Sequence, residues 1–62
     1  MEDKILSLLD NNYYTISEIA LKLNANVGEV SRTLWRMVFD GKINRIIYRR
    51  KSMFGIDKLQ NL

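Results

Sequence analysis

The chain has 62 residues, a net charge of +3, and neither cysteine nor histidine. A chain of this length makes one domain, which buries only about 60% of the surface its unfolded form exposes. The missing residue types exclude disulfides, most zinc sites and any catalytic dyad built on Cys or His.

The first predicted element is a helix over about residues 2–11. Ile5, Leu6, Leu8 and Leu9 have helical spacing, and Glu2 and Asp3 occupy the first turn, where the helix dipole favours acids. Asp10-Asn11-Asn12 breaks the pattern with turn residues. Tyr13-Tyr14-Thr15-Ile16 is aromatic and β-branched; it is too short for an independent strand but can add ladder bonds to a sheet built elsewhere. One of the two tyrosines is expected in the core and the other at its rim.

A second helix is predicted over about 16–24. Thr15 and Glu18 have capping-box spacing, and Ser17 is an alternative cap. Ile16, Ile19, Ala20 and Leu23 form its buried stripe, with Ala20 small enough for another helix to cross closely. Asn24-Ala25 then makes a tight turn.

The third helix, over about 27–40, has both ends marked. Asn26 is an N-cap with Glu29 at capping-box distance, and Gly41 suits the left-handed residue that ends a helix. Val27, Val30, Leu34, Met37 and Val38 form one apolar stripe. At about 100° per residue, the opposite face carries Gly28, Arg32, Trp35, Arg36 and Phe39. A solvated face is ordinarily rich in Lys and Glu. This one presents two arginines and two large aromatics.

Beyond Gly41 the period changes. Strands are predicted over about 42–48 and 53–56, joined by a basic loop, Arg49-Arg50-Lys51-Ser52. The first strand alternates imperfectly: Ile43, Arg45 and Ile47 share one face, and Ile46 and Tyr48 the other. A bulge or a strong twist would repair this. Asp57 to Leu62 reads as a further helical turn or a tail, with Leu59 and Leu62 able to cover the core or a partner.

Positive charge is concentrated in one segment. Residues 32–51 hold Arg32, Arg36, Lys42, Arg45, Arg49, Arg50 and Lys51 against Asp40 alone. The rest of the chain is net acidic. Such an asymmetry is the electrostatic signature of a polyanion binder.

The ordered set of elements resembles the winged helix-turn-helix domains over roughly residues 3–56. The resemblance rests on TISEIALKLNANVGEVSRTLWRMVFDGKI followed by a strand–loop–strand wing. It implies an α+β fold of three helices and a two- or three-stranded antiparallel wing. It also implies that helix 26–41 enters a DNA major groove while the wing, with residues 49–52 at its tip, touches the backbone or minor groove. A narrower resemblance is to the Z-form nucleic-acid-binding (Zα) domains, whose pattern is close to E-[IV]-N-[RK]-x-L-Y. Here the stretch is Glu29-Val30-Ser31-Arg32-Thr33-Leu34-Trp35, followed by Gly41-Lys42-Ile43. Ser31 and Trp35 replace that family's contact asparagine and tyrosine, and Met53-Phe54 stands where its Pro-Pro pair precedes the wing tryptophan.

The expected function is double-stranded DNA binding by a small transcriptional regulator. Arg32 and Arg36 address phosphates or guanine edges, and Ser31 either joins them or bonds back to the Val27 carbonyl. Lys42, Arg45, Arg49, Arg50 and Lys51 neutralise the backbone. Trp35 either stacks on nucleic acid or packs against the hairpin at Tyr48 or Phe54, and Phe39 is a protein contact or a seat for the tail. The alternatives are Zα-like binding of Z-form DNA or RNA, and a winged-helix protein-interaction module anchored by Trp35 and Phe39. A homodimer, formed through the first helix or the tail, would supply a second half-site. The carboxylates are scattered and the three single glycines make no phosphate loop, so no enzymatic activity, cofactor or metal is expected. A small disulfide-free domain fits an intracellular setting, cytoplasmic or nuclear. The initial Met and acidic start suit a natural N-terminus, and the apolar run of MEDKILSLLD is too short and broken for a signal peptide or a membrane span.

Overall fold

The computed structural model describes residues 1–10 and 12–56. Its elements run α1 (Glu2–Leu8), β1 (Tyr14–Thr15), α2 (Ile16–Leu23), α3 (Val27–Phe39), β2 (Asn44–Tyr48) and β3 (Lys51–Gly55). Three helices thus stand beside a three-stranded antiparallel sheet of order β1-β3-β2. This is a small α+β domain with the layout of a winged helix. The expectations for the tail, including Leu59 and Leu62, lie outside the described residues.

Helix boundaries follow local chemistry. Thr15 caps α2 with a complete box: its hydroxyl accepts from the Glu18 N–H at 3.2 Å, and the Glu18 carboxylate accepts from the Thr15 N–H at 2.9 Å. At Asn26 only half of the expected box forms, the side chain accepting from the Glu29 N–H at 3.2 Å. Asn24 is left-handed at φ 52°, and the Ala25 N–H bonds to the Ala20 carbonyl. Gly41, at φ 78°, ends α3 in the same way: the Lys42 N–H bonds to the Met37 carbonyl and the Gly41 N–H to that of Val38. These bonds, with that from the Asn24 N–H to the Leu21 carbonyl, satisfy carbonyls that a helix end leaves free. Helix α1 stops at Leu8, three residues short of its predicted end. Leu9 turns into the bridge region at φ −81°, ψ 7°, which keeps its side chain in the core while Asp10 leaves it.

The core consists of Ile5 and Leu9 from α1, Ile19 and Ala20 from α2, Val30, Leu34 and Met37 from α3, then Ile43, and Phe54 from β3. Fully burying one such large side chain contributes about 1.5–3 kcal/mol. Two expectations need correction. Val27 belongs to the apolar stripe of α3 by angle, yet it is half exposed because it lies at the end of the helix, beyond the reach of α1 and the sheet. Tyr13 and Tyr14 do not divide into core and rim; both are partly buried. The Tyr13 ring lies so close over Gly55 that an added Cβ there would meet it at 2.6 Å.

The hairpin also differs from expectation. Lys51 and Ser52 belong to β3, so the loop shrinks to Arg49-Arg50. Both have positive φ, 53° and 66°. That is the mark of a type I′ turn, whose twist matches that of the flanking strands. Pairing runs in step from Asn44↔Gly55 to Tyr48↔Lys51, so no bulge repairs the alternation of β2. No repair is required, because from Arg45 onward β2 is exposed on both faces as the hairpin projects past the helices.

Candidate nucleic-acid interface

Helix α3 lies between two neighbours that divide its outward face. On one side, Trp35 meets Phe54 of the hairpin edge to face. On the other, Arg36 is close enough to Glu2 of α1 to help hold that carboxyl below its usual range. Arg32 lies between them on the helical wheel, exposed, and with Glu29, Thr33, Arg36 and Met1 it lines a shallow groove. The Ser31 hydroxyl does not bond back to the Val27 carbonyl.

The wing side is the more ordered. The Arg45 guanidinium lies over the Trp35 ring, 5.1 Å from its centroid, and Arg45 Nε donates to Ser52 Oγ at 3.2 Å. The Arg49 guanidinium lies 5.2 Å from the Tyr48 ring centroid, a cation–π contact within the hairpin. Arg50 makes no such contact among the described residues. Lys51 sits on β3 towards the start of α2, where its charge acts on the Glu18 carboxylate. That carboxyl is held below its ordinary value chiefly by the Thr15 backbone N–H and then by the Thr15 hydroxyl.

Lys42 stands apart from this group. Its ammonium donates to Glu2 Oε1 at 2.8 Å, the only ion pair among the described residues. The pair lowers the Glu2 pKa and raises that of Lys42, with Asp40 and Asp3 adding to the latter. The structure therefore gathers Trp35, Arg45, Arg49 and Arg50 along the hairpin beside α3. It places Ser31, Arg32 and Arg36 on α3 itself, sets Lys51 on the α2 flank, and ties Lys42 to α1. Ser52 is the member of the cluster that the sequence conceals. Its tie to Arg45 follows only once the turn is placed at Arg49-Arg50, and that turn has no Asn-Gly signal.

Phe39 is 91% exposed at the end of α3, as its place on the wheel predicts. Among the described residues no helix is long and apolar enough to cross a membrane. Compared with protein-family models, curated proteins and solved structures, the chain matches none.

Proposed function

We propose that this chain is a winged-helix protein that binds double-stranded DNA, as a small intracellular transcriptional regulator. In this reading α3 addresses the major groove and the hairpin lies on the backbone. One observation carries it. Of the seven basic side chains between residues 32 and 51, six have no ion-pair partner among the described residues, and all six lie on α3 or on the hairpin beside it. Unneutralised cations along one helix and the hairpin beside it are suited to phosphate, with release of the counterions that phosphate holds.

A protein-docking role has one observation in its favour, the exposure of Phe39. Its second anchor is weakened, because the Trp35 ring is already engaged by Phe54 and by Arg45. Titration of a mixed-sequence duplex at about 50 and 200 mM salt tests the proposal, since several phosphate contacts lose orders of magnitude in affinity over that range. Saturable anisotropy that collapses at the higher salt is expected, with a change in Trp35 emission. Binding that ignores salt, or no binding, would sink it. Inversion of the duplex circular dichroism would assign the Z-form, and a molar mass of two chains at high micromolar concentration would supply the second half-site.

A further inference from the structure

The Arg45 guanidinium is held on two sides. Its Nε is bonded to Ser52 Oγ at 3.2 Å, diagonally across the β2–β3 ladder. Its Cζ lies over Trp35, 5.1 Å from the ring centroid. Trp35 is itself fixed, its ring standing at 86° to that of the fully buried Phe54. Arg45 nevertheless remains exposed and has no carboxylate within ion-pair distance among the described residues.

An exposed arginine ordinarily samples many rotamers, and a ligand must then bear the entropy of ordering it. Here that ordering precedes binding. The bond to Ser52 uses the inner N–H of the fork, so the two terminal NH2 groups remain for a ligand. A planar pair of donors matches two oxygens of a phosphate, whereas an ammonium does not. We propose that Arg45 is a preorganised phosphodiester-binding arginine at the junction of α3 and the wing, and that Ser52 and Trp35 are positioning residues that aim it. This rests on the nucleic-acid reading above.

The test compares variants by anisotropy of a labelled mixed-sequence duplex at about 50 mM salt. Arg45→Ala is expected to weaken binding about tenfold and to reduce the salt dependence by about one ion. Ser52→Ala, which keeps every charge, should weaken it about threefold; Ser52→Thr, which keeps the hydroxyl, should restore it. In the Arg45→Ala background, Ser52→Ala should change nothing further. Arg45→Lys should fall well short of the wild type despite its charge. Equal losses from Ser52→Ala in both backgrounds, or no loss in either, would overturn the proposal. A readout without DNA separates its failure from that of the parent reading: slow exchange of the Arg45 Nε–H relative to that of Arg50 by NMR, lost in Ser52→Ala. If that ordering is present and the wild type binds no duplex, the nucleic-acid reading falls and the assignment to phosphodiester falls with it. Fast exchange at Arg45 in the wild type would overturn the preorganisation even if DNA binds.

Discussion

Trp35 meets Phe54 edge to face, with ring centroids 5.3 Å apart and planes at 86°. The contact joins the outward face of α3 to β3 near its end, and Arg45, the direct cross-strand partner of Phe54, lies over the indole. Trp35 is 42% exposed and Phe54 is fully buried, so one ring anchors the other. Phe54→Ala is expected to cost about 3–5 kcal/mol and Trp35→Ala about 2 kcal/mol. The double variant should fall short of their sum by about 0.5–1.5 kcal/mol, the usual worth of an aromatic pair beyond its buried area. Urea unfolding followed by far-UV circular dichroism measures all three. Full additivity would show that the hairpin and α3 are not coupled through these rings.

Arg49 and Arg50 occupy left-handed positions that a type I′ turn ordinarily gives to Asn and Gly. That conformation costs a non-glycine residue about 1–2 kcal/mol. The Arg49→Asn, Arg50→Gly variant should therefore be more stable, with a Tm several degrees higher; about 4–8 °C accompanies each kcal/mol in a domain of this size. It should also bind duplex DNA more weakly, with a salt dependence lower by about two ions. A rise in Tm without loss of binding would mean that the tip charges do not touch the ligand.

What could be read from the sequence was local. Thr15, Asn26 and Gly41 mark helix ends because a cap or a left-handed glycine acts within four residues; all three sit at helix ends, although the box read at Asn26 forms only in half. The outward placement of Arg32, Arg36 and Phe39 followed from the helical period alone. Features that depend on distant neighbours were not legible. Periodicity fixes an angle around the helix but not a position along it, so Val27 lies on the core face by angle without reaching the core. The sequence neighbours of Lys42 belong to the wing, whereas its partner Glu2 lies 40 residues away. The hairpin turn stayed hidden because Arg-Arg resembles a solvated loop, and with it the pairing that brings Ser52 to Arg45.

Gly55 shows the same dependence on a distant contact. It is buried, and the Tyr13 ring lies directly over it, leaving no room for a methyl group. The atoms concerned are at the base of the ring, so turning the ring about its own axis does not clear them. Gly55→Ala should cost about 1–3 kcal/mol, the range for overpacking. Adding Tyr13→Ser should relieve part of the loss. Denaturant midpoints of the single and double variants decide this, and a double variant as unstable as the sum of both changes would locate the strain elsewhere.

Glu2 is held below the ordinary carboxyl value mainly by its hydrogen bond from Lys42, and Glu18 mainly by the Thr15 backbone N–H. A carboxyl with a lowered folded-state pKa contributes stability in full above its unfolded value, and loses it as pH falls through the folded one. Lys42 shifts the other way. Its contribution is complete below the ordinary lysine range and is lost as pH rises through the raised value. The Glu2–Lys42 pair is therefore intact around neutrality and fails at both extremes, on the acid side through Glu2 and on the alkaline side through Lys42. Both side chains face solvent, so screening keeps the effect small and added salt should shrink it further. Glu2→Gln should flatten the acid limb of a stability–pH curve in part and leave the limb due to Glu18. Thr15→Ala should do the reverse only in part, because the Thr15 N–H survives the substitution. Thermal melts between about pH 3 and 7 read both limbs. If Glu2→Gln leaves the acid limb as steep as in the wild type, the pair does not tie α1 to the end of α3 in solution.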